Sequence, residues 1–194
     1  MLAGVDESGP ETLQGAVHHY RGHPGTTRGG GNELALAIDL RYASREKAIF
    51  GQPEVGGGLM PSGGGTERLP RAIGRDRALG AVLASDDYDA DTAERWGWVT
   101  RAIPESELDA FVGTVAARLA SCDRTSLASA KAQINRASLS PDADLLAAYG
   151  EFTHSLTLPG FLTRGAGMQA PAEQAGIDFE YRLGHHIGVV NQQR

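Results

Sequence analysis

Cysteine is almost missing from this chain of 194 residues. Cys122 stands alone, so no intrachain disulfide can form, and a reducing, cytoplasmic setting is expected. Positive charge is also scarce. Lys and Arg number 18 against 24 Asp and Glu, for a formal net charge of -6. That balance argues against the broad basic face of a nucleic-acid-binding protein. The local exception is Arg68, Arg71, Arg75 and Arg77, which read as a solvated helix face, with an anionic-ligand site as the alternative. No apolar run reaches the length of a membrane span. The first thirty residues lack the apolar core of a secretory signal. Metal spacing is wanting as well. His18-His19 and His185-His186 are adjacent pairs whose side chains point to different faces, so surface or packing roles are expected and no metal. Cys122 has no matched base and is not read as a nucleophile.

A 41% hydrophobic and 22% charged composition is that of an ordinary globular protein. The length suits one domain, or one domain with a helical appendage. Glycine is plentiful, at 26 residues, but it falls in blocks at element boundaries, which is turn chemistry. Gly29-Gly30-Gly31-Asn32-Glu33 opens an apolar helical run. Gln52-Pro53-Glu54 closes a short strand-like run. Ser62-Gly63-Gly64-Gly65-Thr66 opens another helix. A helix start offers unpaired N–H groups and a positive dipole end. Two carboxylates beside such a start could move protons next to a developing oxyanion. Each motif alone also fits a simple turn, and a glutamate at a helix start also fits a dipole partner. Neither a P-loop Lys-Ser/Thr nor a Rossmann strand accompanies the glycines.

Along the chain, Ala16 to Tyr20 reads as a strand ended by Arg21 to Gly25. Leu34 to Ile38 is apolar almost all round, so this helix is expected to be buried. Leu40 to Ala43, Lys47 to Phe50 and Trp98 to Ile103 read as strands. Helices are expected over Thr66 to Ile73 (stopped by Gly74), Asp76 to Ala84, and Asp91 to Trp96, the last capped by Asp89 and ended by Gly97. Trp96 and Trp98 are expected in the core. Beyond Pro104 the apolar residues fall at helical spacing: Leu108, Phe111, Val115, Leu119; then Leu127, Ala130, Ile134; then Leu145, Tyr149, Phe152. Pro141 and Pro159 separate these helices, and Phe179 to Leu183 suggests one more short one. Strands and helices alternate first and helices follow, which argues for an α/β fold with a helical C-terminal part. Residues 1–104 form the core and 105–194 the helical region.

Taken in order, these motifs resemble the second half of the crotonase superfamily, the enoyl-CoA hydratases and isomerases. The resemblance rests on Gly29 to Ser44, Phe50 to Val55, Gly58 to Leu69, Ala90 to Val99, and the helix with Ala130-Lys131 and Ile134-Asn135. It implies a spiral of ββα turns, here with an incomplete N-terminal half, and an appended helical region. It implies an acyl-CoA substrate, with coenzyme A part of the substrate and no separate cofactor. It also implies a homo-oligomer, a trimer or a dimer of trimers. Glu33 would help activate water, and Glu54 would deliver or remove the proton next to the thioester carbonyl. Gly30 would give one oxyanion N–H, while Gly29, Gly31, Pro61 and Gly63 would line the substrate. Lys131 would be a solvated lysine or a contact to a CoA phosphate.

The expected activity is syn hydration of a 2,3-enoyl-CoA. Other chemistry of the superfamily (isomerisation, decarboxylation, dehalogenation, thioester hydrolysis) is the alternative, as is a non-catalytic assembly subunit. Ala3-Gly4-Val5-Asp6 resembles the loop that bears the first oxyanion N–H, but the segment from there to Gly29 is short, and the Gly22 to Gly29 link is long. The chain is therefore expected to fold its C-terminal two-thirds and self-associate, yet to turn over slowly.

Overall fold

The structure is a computed structural model describing residues 17–20 and 27–164. The segments Ala3 to Asp6, Arg21 to Gly25 and Phe179 to Leu183, and the pair His185-His186, lie outside the described residues.

Strand β1 (Val17–Tyr20) pairs in parallel with β3 (Leu40–Ser44), with Val17 beside Leu40. β3 in turn pairs in parallel with β6 (Arg101–Ile103), with Tyr42 beside Arg101. A second sheet sets β2 (Thr27–Arg28) parallel to β4 (Ile49–Gly51), which runs antiparallel to β5 (Asp87–Asp89). Parallel neighbours need long crossovers. Helix α1 (Gly30–Leu36) lies within the crossover from β2 to β4. Helices α2 (Gly65–Ile73), α3 (Arg75–Ala84) and α4 (Ala90–Trp96) lie between β3 and β6 in sequence, with a 3-10 turn at Glu54–Gly57.

The faces of β3 separate two cores, because successive strand side chains point to opposite sides. Ala43 joins Phe50, Leu69, Ile73, Val82 and Trp98 in the larger one. Tyr42 joins Ile103 and Leu108, against which Phe111, Val112 and Val115 of α5 (Leu108–Ala120) pack. Asp89 caps α4 by accepting the Thr92 N–H at 2.7 Å. The left-handed Gly97 closes that helix.

Three local expectations are corrected. Helix α1 is not buried all round: Leu34 is 67% exposed, while Asn32 and Glu33 face inward beside Ala35 and Leu36. Burial goes to the two polar side chains because both find hydrogen bonds there. Strand β4 starts at Ile49, since Ala48 instead closes a turn by donating its N–H to Ser44 O at 3.0 Å. Trp98 and Val99 are not strand either. Their N–H groups donate to Ala93 O at 2.8 and 3.3 Å and so cap the end of α4.

After α5 come α6 (Arg124–Ser138) and α7 (Asp142–Ser155). Helix α6 buries no residue, and Ile134 is 64% exposed. Helix α7 reaches back to the loop before α2. Ser155 Oγ accepts the Met60 N–H at 3.2 Å, and Leu145 lies against Gly64. The helical turn over 159–164 closes on the 3-10 turn: a Cβ at Gly58 would sit 2.9 Å from the Gly160 carbonyl, and Arg164 donates to Gly56 O at 3.3 Å. Among the described residues, no helix is long and apolar enough to cross a membrane.

Candidate active site

The site begins where α1 leaves β2. Gly29 has φ 53° and ψ -128°, a conformation side-chain-bearing residues avoid. Its N–H donates to Gly51 O at 3.1 Å, which ties the helix start to the end of β4. A Cβ at Gly29 would lie 2.8 Å from Glu54 Oε1. The torsion favours a bare backbone, and a Cβ here would also push the Glu54 carboxyl aside.

Glu33 enters from α1 and is only 5% exposed. Its Oε1 accepts the Gly65 N–H at 3.0 Å. A Cβ at Gly63 would lie 2.7 Å from its Oε2, so the loop before α2 fits around the carboxyl only without a side chain there. Arg68 holds that loop by donating to Gly63 O at 2.6 Å.

Glu54 follows β4 directly and opens the 3-10 turn. Its Oε1 accepts the Gln52 side-chain N–H at 3.0 Å. Its Oε2 is buried and has no hydrogen-bond partner among the described residues. Burial pushes its pKa up from 4.5 to about 7, and the Glu33 charge adds to the rise. Its own backbone N–H and the Gln52 donor work the other way. Burial also raises Glu33, with Glu67 adding, against the lowering pull of the Gly63, Gly65 and Ser62 amides. Burial and the nearby Glu33 charge thus both favour the neutral form of Glu54.

Gln52 is itself held. Its Oε1 accepts from Asn32 Nδ2 at 2.5 Å, and Asn32 Oδ1 accepts from Trp98 Nε1 at 2.7 Å. Asn32, Gln52 and Trp98 are all fully buried. Asn32, Gln52 and Gly65 carry no role in the sequence-based expectations, although an amide inside an apolar helix and a polar residue after a buried strand are the visible signals.

The structure therefore brings Glu33, Glu54, Gly29 and Gly63 together. Gly30 is the first residue of α1, where an N–H has no intrahelical acceptor. Gly31 is exposed, with open space around it. The Pro61 side chain is fully buried, so any effect on substrate runs through the loop it shapes. Lys131 pairs with Asp39 at 2.5 Å. The arginine cluster is divided among separate tasks: besides Arg68, Arg71 donates to Glu67 O at 2.7 Å, Arg75 pairs with Asp76, and Arg77 lies 5.6 Å from the Trp96 ring centre. Trp96 is only partly buried, unlike Trp98, and Cys122 is exposed.

Comparison with known proteins places this geometry in a context. Residues 23–181 match the family model for enoyl-CoA hydratase/isomerase. A Mycobacterium leprae protein assigned as an enoyl-CoA hydratase is 36% identical over 160 residues, 81% of this chain and 60% of that one. The crotonyl-CoA hydratase of Syntrophomonas wolfei is 40% identical over 111 residues, 57% of this chain and 42% of that one. A solved structure from Streptomyces avermitilis, assigned as an enoyl-CoA hydratase, has a TM-score of 0.78 and 43% identity over 90% of this chain and 62% of that one. The chain thus spans about 60% of the length of these longer-matching relatives. The fold is the crotonase α/β fold, and with the family model matched over most of its length the chain belongs to the enoyl-CoA hydratase/isomerase family.

Proposed function

We propose that the protein acts on an acyl-CoA thioester and adds water across a 2,3-double bond. The observation that carries this reading is the carboxyl pair: Glu33 and Glu54 converge, both pKa values are raised, and Glu54 Oε2 has no partner among the described residues. In the hydration direction the pair's proton sits on Glu54. Glu33 accepts a proton from water as its oxygen attacks the β-carbon. Charge moves onto the thioester oxygen, and the Gly30 N–H receives it. A donor of this kind is worth roughly 3 kcal/mol. Glu54 then passes its proton to the α-carbon. Both groups work from one side of the acyl chain in this reading, so addition is syn. Dehydration runs the same steps backwards, with the proton starting on Glu33. Coenzyme A enters only as part of the substrate.

Two carboxyls favour hydration over double-bond isomerisation, which needs one group to move a proton between carbons. Product analysis on a panel of CoA esters separates them: a β-hydroxyacyl-CoA supports hydration, and a shifted double bond without it sinks that reading. In either direction kcat/KM should trace a bell, because only the singly protonated pair is competent. Its alkaline limb should fall near the Glu54 value of about 7. A flat profile from pH 5 to 9 would remove the shared-proton scheme. For residues 105–194 we propose packing and assembly. Exposed Ile134, Leu146 and Tyr149 on α6 and α7 suit a homo-oligomer, a trimer or dimer of trimers.

A further inference from the structure

Among the described residues neither Trp98 nor Asn32 hydrogen-bonds a carboxyl, yet they belong to an unbroken chain of hydrogen bonds that ends on one. The order of donors along it is fixed by chemistry. An indole nitrogen can only donate. Trp98 Nε1 lies 2.7 Å from Asn32 Oδ1, so the Asn32 oxygen must face the indole and the Asn32 NH2 must face away. That NH2 lies 2.5 Å from Gln52 Oε1, which fixes the Gln52 amide in turn. The Gln52 NH2 then points at Glu54 Oε1, 3.0 Å away. Without the indole, both amides could turn over together. Asn32 would offer oxygen to the Gln52 NH2, and Gln52 would offer oxygen to Glu54. The link from Asn32 to Gln52 would survive, but Glu54 would face an acceptor.

We propose that Trp98, acting through Asn32, is a positioning residue that sets the polarity of the Gln52 amide, so that Glu54 Oε1 is always held by a donor and Oε2 is left to act. The Trp98–Asn32 link joins residues 66 apart in sequence and the Gln52–Glu54 link residues 2 apart, so the last loop before β6 is tied to the site through hydrogen bonds. Trp98 is packed for this task. Phe50 and Tyr88 hold its ring at centroid distances of 6.1 and 5.8 Å, and no side of it reaches solvent. Among the described residues, the titratable groups acting on the pair are Glu33 from α1 on Glu54, and Glu67 from α2 on Glu33.

The inference deepens the proposed role of Glu54, but its test needs no turnover. Carboxyl-carbon NMR of selectively labelled protein follows the Glu54 titration directly. Trp98→Phe keeps an aromatic ring and deletes the donor. The Glu54 midpoint should rise by at least about half a unit, as expected when a hydrogen bond to the charged form is lost. Phe50→Leu serves as the control: it loosens the packing around the same indole but leaves its N–H, and should leave the midpoint in place. An unmoved midpoint in Trp98→Phe, or equal shifts in both variants, overturns the proposal. If Trp98→Phe does not fold, the unsubstituted protein still decides. Gln52 NH2 protons should show NOEs to the Glu54 side-chain methylenes, and the Asn32 NH2 protons should show NOEs to Gln52 in preference to the Trp98 indole proton. The reverse pattern overturns the proposal. Failure of the hydration assay alone leaves these signals unchanged and so strikes only the proposed reaction.

Discussion

The site region and the C-terminal helices obey different rules. Around Glu33 and Glu54, most polar groups are buried and hydrogen-bonded, with Glu54 Oε2 the exception, and backbone runs so close to carboxyl oxygens that a Cβ at Gly29 or Gly63 would displace them. On α6 and α7 the reverse holds: Ile134 and Leu146 are 64% and 71% exposed, while no residue of α6 is buried. Burial of polar groups without partners is costly, so the first region must have been fixed residue by residue. The second leaves apolar side chains exposed, which is the feature behind the proposed assembly role. The proposed chemistry thus falls where side chains are tightly held, and the proposed association where apolar side chains are left exposed.

The sharpest way to break the contrast is at the carboxyls. Glu54→Gln and Glu33→Gln should each lower hydration turnover by roughly 10²–10⁴-fold, with the oligomeric state by light scattering unchanged. Full activity in both would remove their assigned roles. Next comes the core that backs the site. Leu69 is fully buried on α2, and Leu69→Ala should cost about 2–5 kcal/mol in denaturant unfolding. A loss below about 1 kcal/mol would mean the core relaxes around the gap.

A smaller effect is read in pH. Glu54 is raised from 4.5 to about 7 in the folded protein. A raised carboxyl stabilises the fold fully below its unfolded value, and that contribution is lost as pH climbs through the folded value. Compared with Glu54→Gln, the native protein should therefore lose stability between about pH 4.5 and 8, by up to about 3 kcal/mol. The comparison cancels Asp89 and Asp123, whose lowered values act in the opposite sense, losing their contribution as pH falls. A difference that does not change with pH would show that Glu54 is not raised. The smallest expected effect on the fold of one chain lies on the outer helices. Ile134→Ser should change the unfolding free energy of the single chain by less than about 0.5 kcal/mol. The same change should weaken any oligomer seen by sedimentation. Unaltered association would move the interface elsewhere.

Much of this was legible in the sequence, for reasons that differ by residue. Asp89, Gly97 and the start of α1 declared themselves because caps and turns are local chemistry. Glu33 and Glu54 stood out through ordered motifs. What stayed hidden depended on contacts between distant residues. Leu34 looked buried because its neighbours are apolar, but the site claims the opposite face of α1 for Asn32 and Glu33. Trp98 read as strand and core, and only its contact with Asn32, 66 residues away, shows its other use. Helix α6 has an apolar stripe that no described element buries, and no local pattern shows what covers it.

The meeting of Gly58 with Gly160 has a practical side. There the backbone of the 3-10 turn that begins with Glu54 rests directly on the last described helical turn, and Arg164 ties down Gly56 beside it. A tag, fluorophore or fusion partner introduced near residue 160 would accordingly press on the turn that carries Glu54, even though the attachment point looks like an outlying helix. Labels intended as silent reporters should avoid both this contact and the exposed apolar face around Ile134 on α6.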